Sequence, residues 1–118
     1  MGKVVSYKDL DIWKKGIELV KNVYQVTESF PKSEMYGLTS QLRRCSVSIP
    51  SNVAEGFRRQ YSKEFKQFLS VAIGSAAELE TQIIIAKELG YLDSQTEEKI
   101  LETVDHLSRM IFNLNKRL

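Results

Sequence analysis

The sequence predicts an all-α protein: an antiparallel up-down-up-down four-helix bundle, its second helix kinked near Pro50. Three observations carry this. Apolar residues recur at three- and four-residue steps through four long segments. Only six Gly and two Pro occur in 118 residues, too few for a turn-rich fold. Breaker and capping residues separate the segments by short connections, which makes consecutive helices antiparallel neighbours. The chain, residues 1–118, reads as a single domain, and its 42% hydrophobic content suits one modest core. So short a chain leaves much surface exposed, and self-association is a natural source of added stability.

The first helix should begin near Asp9, a usable N-cap. Leu10, Trp13, Ile17, Val20, Tyr24 and Thr27 form its expected bundle seam. A second apolar set, Ile12, Leu19, Val23, Val26 and Phe30, lies on another side and is surplus to a helix buried once. Pro31 ends the helix. The second helix should start at Ser33, with the seam Leu38, Leu42, Cys45, Ile49, Asn52 and Gly56. Pro50 lacks an N–H and crowds the Ser46 carbonyl, at a cost of roughly 3 kcal/mol. The helix either kinks there or restarts at Ser51; the seam keeps phase across the proline, which favours the kink.

The third helix should be capped by Ser62, run through Phe65, Leu69, Ala72, Ala76, Leu79, Ile83 and Ala86, and stop at Gly90. Ser94 and Glu97 read as a capping box for the fourth, whose seam is Ile100, Val104, Leu107, Ile111, Leu114 and Leu118. Folding the second and third segments against each other matches their seams in mirror order. Leu38 meets Ile83, Leu42 meets Leu79, Cys45 meets Ala76, Ile49 meets Ala72, Asn52 meets Leu69 and Gly56 meets Phe65. In that register Gln41 faces Gln82 and Ser48 faces Ser75, as hydrogen-bonded pairs that fix alignment. Asn52 is the polar exception in the seam. It is expected to specify register, offering its amide to the freed Ser46 carbonyl or to a group across the seam.

Several function classes find no support. Cys45 is the only cysteine, so there is no disulfide framework or thiolate metal cluster, and a reducing, cytoplasmic setting is expected. No apolar run is expected to reach the roughly 18 residues of a membrane span. The N-terminus lacks a signal-peptide core. Gly2 and Ser6 fit a myristoylation pattern too short to carry a reading. His106 is the lone histidine, and Thr103 stands three residues before it where a di-iron bundle needs Glu. Glu78 and Glu80 point about 200° apart on a helix and make a poor acid–base pair. The six glycines are scattered, so there is no phosphate loop. Cys45 sits on an apolar seam as an inert thiol. No catalytic residue, metal, cofactor or small-molecule substrate is expected, and the chain reads as a non-enzyme.

Charge is unevenly spread. Residues 1–66 carry twelve Lys and Arg against seven Asp and Glu; residues 67–118 carry five against eight. Such asymmetry suits either an anionic partner or head-to-tail attraction between copies. Arg43, Arg44, Arg58, Arg59, Lys63 and Lys66 make the corner between helices two and three the most basic part of the chain. They are the candidate nucleic-acid contacts, directed at backbone phosphate because no base-reading motif accompanies them. The surplus apolar residues Ile12, Leu19, Val23 and Val26, with Val47, Pro50 and Phe57 on the outer side of helix two, are the candidate subunit interface. Phe57 has no seam partner on helix three, so a second copy or helix one or four should cover it.

The order Asp9-Leu10, Trp13, Tyr24, Phe30-Pro31, Glu34, Tyr36-Gly37-Leu38-Thr39, Gln41 and Arg43-Arg44 leads into Ser48-Ile49-Pro50-Ser51-Asn52 and Ala54-Glu55-Gly56. It continues through Arg59, Phe65, Phe68-Leu69, Ala72, Gly74-Ser75, Glu78-Leu79-Glu80 and Leu89-Gly90-Tyr91. Over residues 7 to about 92 this resembles the bacterial four-helix-bundle proteins encoded in intervening sequences of 23S ribosomal RNA. It also looks related to the accessory variability determinant of diversity-generating retroelements. Cys45 stands where the family often has alanine, and Val53 where it often has isoleucine. The resemblance implies a homopentameric ring, no enzymatic activity, and association with RNA or a nucleoprotein.

Overall fold

The computed structural model describes residues 6–118, so Gly2 lies outside the described residues. Four helices carry the fold: α1 (Asp11–Thr27), α2 (Leu38–Arg58), α3 (Ser62–Glu88) and α4 (Ser94–Lys116). Among the described residues there is no strand. α1 touches α2 and α4, α3 touches α2 and α4, and neither diagonal pair meets, so the helices stand at the corners of a square. At one end the Arg58 guanidinium lies over the Tyr7 ring, and Asn115 Nδ2 donates to the Lys66 carbonyl at 2.9 Å. This joins the start of α1, the end of α2, the start of α3 and the end of α4. At the other end the Phe30 and Tyr91 rings pack 5.4 Å apart, and the Tyr91 hydroxyl donates to Glu34 at 3.0 Å.

The core is filled from all four helices. Leu42, Ile49 and Val53 of α2, Leu69, Ala72, Leu79 and Ile83 of α3, and Val104 and Ile111 of α4 have no exposed surface. Two of the expected α2/α3 pairings are seen directly, Gly56 with Phe65 and Ser48 with Ser75. A Cβ on Gly56 would fall 2.7 Å from Phe68 Cβ and 2.9 Å from Phe65 Cδ1, so the two helices cross in close contact where the seam pairs Gly56 with Phe65. α3 has an 18-residue window of mean hydropathy 1.4, long and apolar enough by length and composition to cross a membrane. A third of that window is buried in the bundle, where α3 packs against α2 and α4.

The inward side of α1 is not the one expected, apart from Thr27, which is buried, and Leu10 and Trp13, which pack at the core's edge. Ile12, Gly16, Leu19, Val23 and Thr27 are buried. Trp13, Ile17 and Val20 are half-exposed, and Tyr24 is 42% exposed. Both sides have helical apolar spacing, so hydrophobicity alone does not choose. Gly16 chooses. A Cβ there would lie 3.1 Å from Pro50 Cβ, so only the side carrying Gly16 lets α1 close on the proline ring.

Helix starts also differ from those expected. Asp9 sits in a 3₁₀ turn (Tyr7–Asp9) whose first amides Ser6 serves by accepting from Lys8 N–H, and α1 begins two residues after Asp9. Ser33 lies in another 3₁₀ turn, and α2 starts at Leu38, whose N–H donates to Glu34 Oε1 at 3.0 Å. Ser62 is the first residue inside α3, behind an uncapped Tyr61. Asp93, not Ser94, caps α4 by accepting from Thr96 N–H at 2.8 Å, where a charged carboxylate also meets the helix dipole. Gly90 ends α3 as expected. Its φ of 81° is left-handed, and Gly90 and Tyr91 N–H donate back to the Lys87 and Ala86 carbonyls. α2 runs unbroken through Pro50, so no restart occurs at Ser51.

Candidate nucleic-acid interface

Of the six cations expected at phosphate, Arg43 is committed elsewhere. Its Nε donates to Thr27 Oγ1 at 2.9 Å, and its guanidinium lies 4.5 Å over the Tyr24 ring. It clamps the end of α1 onto α2. Arg44 stands apart on the α2/α3 side, in a shallow depression of about 370 Å³ with Gln41, Cys45, Ser48, Ser75, Glu78 and Gln82. Arg59 pairs with Glu55 at 2.9 Å and covers Phe68. Arg58, Lys63 and Lys66 are exposed at one end of the bundle and, among the described residues, form no ion pair.

That end holds two cations the sequence reading missed. Asn115 anchors the last turn of α4 to the first turn of α3, which brings Lys116 and Arg117 beside Lys66. Both are exposed. The signal was available: in an antiparallel four-helix layout the end of α4 lies with the end of α2. The result is a plate of exposed cations on three chain segments, with Tyr61 exposed among them.

The expected subunit-contact residues separate. Ile12, Leu19, Val23 and Pro50 are buried within the single chain, because the side of α1 assigned to an interface is its core side. Val26 is half-buried against that core. Phe57 is half-buried on Phe65, rings 6.0 Å apart at 88°. The close approach at Gly56 brings it within reach of the helix-three residue it was thought to lack. Val47 alone is openly exposed, at 39%.

The polar residues of the α2/α3 seam form a short network. Ser48 and Ser75 share a hydrogen bond of 2.8 Å. Asn52 Nδ2 donates to the Ser48 carbonyl at 2.8 Å and to Ser48 Oγ at 2.9 Å, not to the Ser46 carbonyl. The Asn52 side chain reaches back one turn along its own helix and finds Ser48 there. Gln41 and Gln82 flank the same depression, but Gln82 Oε1 is buried without a partner, so they do not form the expected pair. The Cys45 thiol donates to the Ser75 carbonyl at 2.9 Å, and burial, then Glu78, pushes its pKa up to about 11. A thiol so held is a poor nucleophile. His106 is exposed.

The chain matches the family model described as 23S rRNA-intervening sequence protein over residues 8–113. Among solved structures it is similar to a protein of unknown function from the S23 ribosomal protein family of Bacteroides thetaiotaomicron VPI-5482. The TM-score is 0.80 at 18% identity, covering 89% of this chain and 98% of that one. No curated protein matches it.

Proposed function

This chain belongs to the 23S rRNA-intervening sequence protein family, and from that premise we propose a non-enzymatic, cytoplasmic, homo-oligomeric bundle, a pentamer, whose basic ends bind RNA. The observation that carries the RNA reading is the convergence of Arg58, Lys63 and Lys66 with Lys116 and Arg117 at one end of the fold. Cations drawn from three segments and free of ion pairs suit a phosphate backbone, which offers charge without base identity. Each patch is small. Several copies in one particle multiply weak contacts by avidity.

The test is a gel shift with fragments of 23S ribosomal RNA across a salt series. Binding should weaken steeply as salt rises, because phosphate contacts release counterions. Lys63→Glu with Lys66→Glu should weaken binding about 100-fold and lower the salt slope by about 2. No shift at low salt from an intact oligomer sinks the RNA reading. A clean 13.6 kDa particle in light scattering sinks the oligomeric one.

A further inference from the structure

The outer side of α3 and α4 carries a groove of about 760 Å³. Its floor is apolar, from Ala77 and Ile84 of α3, two turns apart on one side of the helix, and Leu101 of α4. Ile84 is 44% exposed, so this floor is open to a partner. Glu80, Glu97, Glu98 and Glu102 edge the groove and form no ion pair among the described residues. Asp105, at one end, pairs with Arg109 at 3.1 Å. Among the described residues no Lys or Arg lines the groove. Its α4 wall runs from Ser94 to Asp105, about 16 Å at a rise of roughly 1.5 Å per residue. By the same rise Lys66 stands about 16 Å short of Ala77 along α3, so the basic plate lies beyond the end of the groove.

We infer that this groove is a docking site for a basic amphipathic helix of another protein, about three turns of which fill its length. Charge and apolar surface together select that occupant. RNA and anionic lipid are repelled by the unpaired carboxylates. A bare divalent cation finds no cage: among the described residues no group of His, Cys, Asp and Glu is placed to hold a metal ion. An uncharged apolar segment would cover the floor but strip water from carboxylates left without a partner, at high cost. A helix with an apolar side flanked by Lys or Arg meets both demands, its anchors on the floor and its cations on the edges. Burial, then the Asp105 charge, pushes the Glu80 carboxyl pKa up, and a cation laid beside it would oppose that shift. The inference stands apart from the RNA reading and from the oligomeric one. With both surfaces occupied, the chain bridges RNA at its basic end and a basic protein on its acidic side.

The probe is a fluorescently labelled synthetic peptide of about 15 residues, long enough to span the groove as a helix, with Leu on one helical side and Lys on the other. Its control has the same composition with Leu and Lys alternating, which gives no apolar helical side. Both are titrated with the full chain and read by fluorescence anisotropy. The amphipathic peptide should bind about tenfold tighter than the control or better. Glu98→Lys with Glu102→Lys should weaken its binding about 100-fold, because the peptide's cations then meet like charge. Ile84→Asp, which leaves every carboxylate in place, should weaken it about tenfold by spoiling the floor. All three positions are exposed, and far-UV circular dichroism checks that both variants remain helical. Binding should fall about tenfold between 0.05 and 0.5 M salt. Lys63→Glu with Lys66→Glu, which strikes the RNA surface, should leave peptide binding unchanged, so the two readings fail separately. Equal binding of the two peptides, or parental binding by either folded groove variant, overturns the inference. So does loss of self-assembly in the groove variants, which would make the groove a contact between copies.

Discussion

The α2/α3 and α1/α2 interfaces are both helix pairs with apolar seams, yet they are aligned by different means. α2 and α3 are registered by features that admit one alignment: Gly56 under Phe65 and Phe68, the Ser48–Ser75 hydrogen bond, and the Cys45 thiol on the Ser75 carbonyl. Across α1 and α2 the one such polar contact lies at the end of α1, where Arg43 Nε donates to buried Thr27 Oγ1. α1 presents two apolar sides, and along its length the close approach of Gly16 to Pro50 decides which turns inward. Hydrophobic spacing fixes that a helix is buried; small residues and polar pairs fix how.

The largest effect should separate the two sides of α1. Leu19→Ala, on the core side, should cost about 3 kcal/mol in urea denaturation. Ile17→Ala, on the outer side, should cost less than about 1 kcal/mol in the monomer. Equal costs would mean that α1 is turned the other way. Next come the glycines. Gly56→Ala places a methyl against Phe68 Cβ and should cost about 2 kcal/mol, read as a lowered melting temperature. Gly74→Ala, with nothing within 4 Å, should instead stabilise by up to about 1 kcal/mol, the helix-propensity gain.

The seam network should respond more mildly. Ser75→Ala removes the bond to Ser48 and should cost about 1 kcal/mol. Asn52→Leu should cost about as much in the monomer, since Asn52 bonds only along its own helix in the described network. A sharp native spectrum and unchanged particle mass in that variant would count against a register role.

The smallest effect concerns the end where Glu34 and Tyr91 meet. The Leu38 N–H and then the Tyr91 hydroxyl hold the Glu34 carboxyl below its usual value. Its contribution is therefore present above the unfolded value of about 4.5 and is lost as pH falls through the folded one. The Glu34 contact holds the Tyr91 hydroxyl above its ordinary value, so that contribution is present below about pH 10 and is lost as pH rises through the folded value. Glu34→Gln should flatten the acid limb of the melting temperature against pH, and Tyr91→Phe the alkaline limb. An unaltered profile in both would mean that this contact is absent in solution.

Much of the molecule was legible in the residues. Periodicity gave four helices, and mirror-ordered seams gave the α2/α3 register because that pairing is local and antiparallel. Gly90 marked its turn because α3 ends in a left-handed residue. The helix starts were misjudged where a second capping group competed: Ser6 ahead of Asp9, Glu34 after Ser33, Asp93 before Ser94. Phe57 was misplaced because a ring one position off the seam is reached only where two helices approach as closely as they do at Gly56.

The sequence by itself determined the fold class, the antiparallel α2/α3 seam and the excess of cations in the first half of the chain. These depend on spacing and composition, which short-range geometry translates directly. Tertiary structure decided which side of α1 is core, that Arg43 serves Thr27 and Tyr24, and that Lys116 and Arg117 join Lys63 and Lys66. Each depends on a contact between residues distant in the chain, where sterics at one atom pair or the end-to-end placement of helices outweighs local pattern.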